Sequence, residues 1–228
     1  MEHLLGIYGI AAPHQIFSYA TNIYALYQSM IQDGKLDDFD ILMHLRSREK
    51  DPIKKELFNN NFSEIILIFD FDPQDSLFSE DKIRGMVNHF TEFTDMGKLY
   101  LNYPMVEAFY HMKSIPDSDY YSYTATMTEL TDKKYKMRVN TENRNGDYTK
   151  FAVNKAECDI VISQNIIKSW RIVGKPIQTH PVDSASIAEM QLAEIKSNGV
   201  VDVLCTCAFY ITDYRSDLIS FCYRHGEC

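Results

Sequence analysis

Asp70 and Asp72 stand one residue apart at the end of the apolar run in IILIFDFDPQD, residues 65–75. In a β-strand, side chains alternate between faces, so the two carboxylates would point the same way, about 6–7 Å apart. Two like charges held there repel each other unless a cation sits between them. Mg2+, or Mn2+ in its place, suits the position because it binds through one or two carboxylates and keeps waters that a phosphate can displace. The pair is therefore read as a divalent-metal site. A plainer reading stays open beside it. Pro73 and Asp75 are turn formers, and the aspartates could cap a helix or solvate a loop.

Glu107, in LYLNYPMVEAF, is the next acidic candidate. It falls early in an expected helix after a further strand, where neighbouring strands would bring it to the aspartates. An acidic residue in a first helical turn also complements the helix dipole. In DKKYKMRV, Lys134, Lys136 and Arg138 recur at period two. Extended, they form a basic stripe able to touch phosphates, although lysines guarding a solvated edge strand explain the pattern better. Tyr120, Tyr121 and Tyr123 could stack bases but equally cover a core edge. Cys205, Cys207, Cys222, His225 and Cys228 match no common zinc-finger spacing. Neither a GxxxxGK[ST] loop nor a GxGxxG turn is present.

The elements that must position these groups follow from periodicity. HLLGIYGI, DFDILMHL, SEIILIFDFD and GKLYLNYP read as strands, the third apolar enough to be buried on both faces as in a parallel sheet. IFSYATNIYALYQSMIQDG reads as a helix with Ile23, Leu26, Tyr27 and Met30 on one face and a stop at Asp33-Gly34. DPIKKELFNNN starts a short helix at Pro52. SEDKIRGMVNHFTEF places Ile83, Val87 and Phe90 together, and MVEAFYHMK is a further helix. This alternation predicts an α/β domain over residues 1–113, a mainly parallel sheet flanked by helices. Residues 114–228 read as a mostly helical C-terminal extension packed on it. It holds a tyrosine-rich loop with room for a short strand and two long helices over 146–173 and 182–199. VVDVLCTCAFYITDY remains ambiguous between strand and buried helix.

The chain has 228 residues, 45% hydrophobic and 24% charged, enough to bury a core without disulfides or a structural metal. Its formal charge of −9 excludes wholesale coating of nucleic acid, though not local contact through a basic strip or bound metal. Five cysteines at irregular spacing suggest reduced thiols and a cytoplasmic protein. No run approaches about 18 apolar residues, so no membrane contact is expected. The N-terminal stretch has Glu2 where a signal peptide has basic residues.

The order of strands and helices, ending in DFD, resembles the TOPRIM domain of topoisomerases, primases and OLD-type nucleases. LNYPMVEAF resembles a signature of the RloB-like, abortive-infection group of bacterial phage-defence proteins, and ATNIYALY, KKYKMRV and VLCTCAFYITDY look like segments of the same group. The resemblance covers most of the chain and implies a TOPRIM-like fold. It also implies a Mg2+-dependent nuclease with Asp70 and Asp72 on the metal, Glu107 in the signature that follows, and an ATPase partner. Glu107 or Asp75 is the candidate substitute base, and the sequence leaves a homo-oligomer open. The family's glutamate at the end of the first strand has no match, since HLLGIYGI is not followed by Glu. The isolated chain is therefore expected to cleave slowly or to serve as a noncatalytic binding subunit. A haloacid-dehalogenase-type phosphatase also carries a strand ending in DxD, but Gln74 stands where that class needs Thr or Val.

Overall fold

The computed structural model describes residues 1–222 apart from residues 13, 19–20, 34–38, 61 and 95. The chain opens with helices α1 (Glu2–Ile7), α2 (Ile23–Asp33), α3 (Ile41–Arg48) and α4 (Pro52–Leu57). Strand β1 (Ile66–Asp70), helix α5 (Glu80–His89) and strand β2 (Lys98–Asn102) follow. Then come β3 (Thr124–Thr126), α6 (Met127–Thr131), α7 (Lys134–Glu142), α8 (Lys155–Ile172), α9 (Ser184–Asn198), β4 (Val200–Asp202) and α10 (Phe209–Tyr214). The protein is thus mixed α/β. Among the described residues its parallel sheet has only two strands, β1 and β2, in register from Ile66 opposite Lys98 to Asp70 opposite Asn102. A separate antiparallel pair joins β3 to β4.

The expected larger parallel sheet is absent because two of its strands are helices. In α1, Leu4 and Leu5 are buried, and so is Tyr8 at its C-cap. In α3, the Asp40 side chain accepts from Met43 N–H at 2.9 Å, a standard N-cap, and Ile41 and His44 are buried. β1 has β2 on one side, and most of its residues are half-buried rather than buried on both faces. DKKYKMRV is helix α7, not an edge strand. Helices α2, α4 and α5 fall where periodicity places them, and α5 buries Ile83, Met86 and Val87. At Gly85, a Cβ would lie 2.6 Å from the Tyr27 ring, so α2 and α5 approach closely through that glycine. The expected stop at Gly34 lies outside the described residues.

The later half of the chain completes the same core. Helix α8 is buried nearly all round, the signature of a helix inside a core. Its polar side chains are each paired. Asn165 Oδ1 accepts from Tyr120 O–H at 2.6 Å and Cys205 N–H at 2.8 Å. Lys168 Nζ donates to the carbonyls of Tyr120 and Tyr123 at 2.9 and 2.7 Å. Helix α9, capped by Asp183 at its start and by Gly199 at φ 65 after its end, packs on α5, α8 and β2. The stretch after β4 runs beside β2. Tyr103 and Leu204 exchange backbone hydrogen bonds at 2.8 Å, and Thr206 Oγ1 donates to Leu101 O at 2.9 Å. Cys158, Cys205 and Cys207 are buried free thiols, whereas Cys222 is disulfide-bonded, a departure from the expectation of five reduced thiols.

Burial lowers the Lys168 ammonium to about 7. The unfolded chain, with an ordinary lysine near 10.4, holds the extra proton between those values, so stability rises with pH across that window. We predict that stability by urea unfolding increases from pH 7 to 8 with a slope approaching about 1.4 kcal/mol per pH unit. Lys168→Met should flatten that rise while lowering stability at both pH values, because two carbonyls lose their donor. Equal slopes in the two proteins would contradict this.

Candidate metal centre at the strand ends

β1 ends at Asp70, and the chain beyond it continues beside the chain beyond β2. Phe71 N–H donates to Asn102 O at 2.9 Å and Asp72 N–H to Pro104 O at 3.0 Å. Asp72 is therefore not a strand residue sharing a face with Asp70, as strand alternation predicts. Its φ is 39, in the left-handed region that costs a non-glycine residue energy and recurs at functional sites. The turn re-aims the side chain, and both carboxylates still reach the C-terminal end of the parallel pair, where open α/β sheets bind ligands.

Three carboxylates act on one another there. Asp70 is pushed up to about 7, first by burial and then by the charges of Asp72 and Glu107. Val106 N–H, donating to Asp70 Oδ1 at 2.8 Å, offsets part of that rise. Asp72 is also raised, chiefly by burial and further by Asp75 and Glu107. Gln74 Nε2 donates to Asp72 Oδ1 at 3.0 Å and opposes the shift.

Glu107 lies in a 3-10 turn over Val106–Tyr110, is buried, and pairs with Lys136 Nζ at 2.6 Å. Asp75 holds a turn: its carboxylate accepts from Leu77 N–H at 2.7 Å and from Asn22 Nδ2 at 2.8 Å. The three basic residues form no stripe, because a period of two on helix α7 spreads them around the axis. Lys134 pairs with Asp132 at 2.8 Å, and Arg138 with Glu129 at 2.9 Å. Only Lys136 reaches the carboxylates. Tyr120 is buried against α8, with its hydroxyl committed to Asn165.

Asn102 is the site residue that motif reading misses. It is fully buried directly opposite Asp70, and Cys207 N–H fixes its Oδ1 at 3.2 Å. Its Nδ2 lies near enough to Asp70 to favour the carboxylate, yet makes no hydrogen bond of proper geometry. Gln74 Oε1 is likewise buried without a partner. Buried polar atoms are rarely left so: the Gln74 oxygen suits a donor such as a cation-bound water, and the Asn102 N–H suits an acceptor such as a phosphate oxygen. Among the described residues no three His, Cys, Asp or Glu side chains are grouped to hold a metal unaided. The Asp70–Asp72 pair suits Mg2+ or Mn2+, which take few protein ligands and leave positions for water and phosphate. An apolar cavity of about 430 Å3 lies elsewhere, along β1 and against Leu5, Leu26 and Ile41.

The raised Asp70 has a stability consequence. Its folded value exceeds the ordinary carboxylate value, so its favourable contribution is complete below about pH 4 and is lost as pH rises to about 7. Asp70→Asn should therefore stabilise the metal-free protein at pH 7.5, by about 1–2 kcal/mol or roughly 2–8 °C in Tm. The variant should also remove the loss of stability between pH 4 and 7. A variant less stable than wild type at pH 7.5 would show that Asp70 holds the fold.

No family model, curated protein or solved structure matches the chain.

Proposed function

We propose that the protein binds a divalent cation, Mg2+ or Mn2+, through Asp70 and Asp72 and acts on nucleic-acid phosphodiesters in the manner of a TOPRIM-type nuclease. The observation that carries this reading is the convergence of Asp70, Asp72 and Glu107 at the ends of two parallel strands, with the unpartnered Asn102 N–H beside them free to serve a phosphate oxygen. A bound cation there would relieve the repulsion, polarise a phosphate oxygen and lower the pKa of bound water.

The chain's own groups supply the rest. Gln74 Nε2 orients the Asp72 carboxylate, and Lys136, largely exposed beyond Glu107, offers a local cation to a phosphate. Proton transfer is the weak point. Helix α1 occupies the stretch expected to end in the family's glutamate. Asp75 is engaged by Asn22 and Leu77, and Glu107 is engaged by Lys136. A missing general base costs about 10²–10⁴-fold in rate, so the isolated chain should cleave slowly. These same engagements favour the second reading, a TOPRIM-like binding subunit that holds metal and nucleic acid without cutting. The ATPase partner and the phage-defence role stay with the family resemblance.

Mn2+ titration followed by electron paramagnetic resonance separates these outcomes. Wild type should bind the ion, and Asp70→Asn and Asp72→Asn should each weaken binding at least about tenfold, a loss of about 1.4 kcal/mol. Equal binding by all three would overturn the metal reading. Slow Mg2+-dependent nicking of DNA or RNA that Asp72→Asn abolishes supports the nuclease, and metal binding with no cleavage supports the binding subunit. Lys136→Ala should strengthen Mn2+ binding by releasing Glu107, yet weaken binding of a short oligonucleotide and reduce its salt slope by about 1. No change in either would remove Lys136 from the site.

A further inference from the structure

Cys205 and Cys207 form a Cys-x-Cys pair with the two Sγ atoms 3.3 Å apart. Both are free, Cys205 fully buried and Cys207 5% exposed. The backbone holds them face to face from both sides, since Cys205 N–H is bound by Asn165 Oδ1 and Cys207 N–H by Asn102 Oδ1. Cys158, the other free thiol among the described residues, behaves differently. Cys158 donates to Ala152 O at 3.1 Å, and burial pushes it up to about 12, as for an inert structural cysteine. The Cys205 thiol instead lowers Cys207 by hydrogen bonding to it, which makes Cys207 the nucleophile and leaves Cys205 as its resolving partner.

We propose that Cys205 and Cys207 are a redox-active dithiol, oxidised to an intrachain disulfide by small hydroperoxides. The Cys207 sulfur attacks one peroxide oxygen. The O–O bond breaks, the other oxygen leaves as water or alcohol with a proton from the thiol pair, and Cys207 becomes a sulfenic acid. The Cys205 sulfur then attacks the Cys207 sulfur. An S–S bond forms, the S–O bond breaks, and water leaves. Two thiols have lost two electrons, and one hydroperoxide has been reduced to an alcohol, or water, plus water. Closing to a disulfide of about 2.05 Å needs a movement of little more than an ångström. Burial restricts the oxidant to hydrogen peroxide or something nearly as small. The inference does not rest on the cation reading, although Cys207 N–H also fixes Asn102 beside Asp70.

The test uses the full chain, reduced with dithiothreitol, freed of it, and treated with hydrogen peroxide or cumene hydroperoxide. Thiols are then alkylated and the peptides mapped by mass spectrometry. Hydrogen peroxide should leave the peptide holding both cysteines two hydrogens lighter and unalkylated, and dithiothreitol should reverse this. Cumene hydroperoxide should act at least tenfold more slowly. Cys205→Ser should stop at an oxidised Cys207 acid, and Cys158→Ser should behave as wild type. Alkylatable thiols at both positions after hydrogen peroxide treatment, or a disulfide linking Cys207 to a cysteine other than Cys205, would overturn the proposal.

Discussion

Charge repulsion at the end of a short parallel strand pair is the constraint around which the site is arranged. Burial first, and then the charges of Asp72 and Glu107, raise Asp70; burial, and then Asp75 and Glu107, raise Asp72, in a half-buried crevice where each charge is less screened than in water. Every neighbour described above answers that repulsion in part. Val106 N–H and Gln74 each donate to one aspartate, and Lys136 neutralises Glu107. None of them offsets burial and repulsion together, since Asp70 and Asp72 both remain above the ordinary carboxylate range. A fold selected for stability alone would place an amide at position 70. Retaining the carboxylate costs stability, a pattern common at sites kept for function.

The later half of the chain supplies the rigidity that this strain requires. Asn165 on α8 holds Cys205, Thr206 holds the Leu101 carbonyl, and Cys207 holds Asn102. Position 102 is thus clamped from β1 on one side and from the 203–207 stretch on the other. The buried polar side chains of α8 serve this function. Each is paired, so the helix crosses the core without orphaned charge and sets the height of the stretch that flanks β2.

Much of this was legible in the sequence. β1 and β2 announced themselves as apolar runs, and α2, α5, α8 and α9 through period and caps. What failed were short segments whose patterns suit either element. HLLGIYGI and DFDILMHL are apolar enough for strands, and only burial against neighbouring helices makes them helical, although Asp40 was a readable N-cap. KKYKMRV alternates as a strand would, but Lys133 turns the backbone at φ 59 and a helix follows, burying Tyr135 and Val139. The aspartate pair was visible as a motif, while its geometry was not, because the left-handed turn at Asp72 has no signature in an aspartate. Asn102 could have been noticed as an amide closing an otherwise apolar strand. Its role depends on register with Asp70, which single-strand patterns do not contain.

The central claim is that the carboxylates are held under mutual repulsion in wait for a cation. Carbon-detected NMR of the aspartate side-chain carboxyls, titrated with pH and assigned with Asp70→Asn, tests it most directly. The metal-free protein should show Asp70 titrating with a midpoint near 7, and saturating Mg2+ should pull that midpoint down. A midpoint near the ordinary value of about 4 in metal-free protein, unmoved by Mg2+, would contradict it.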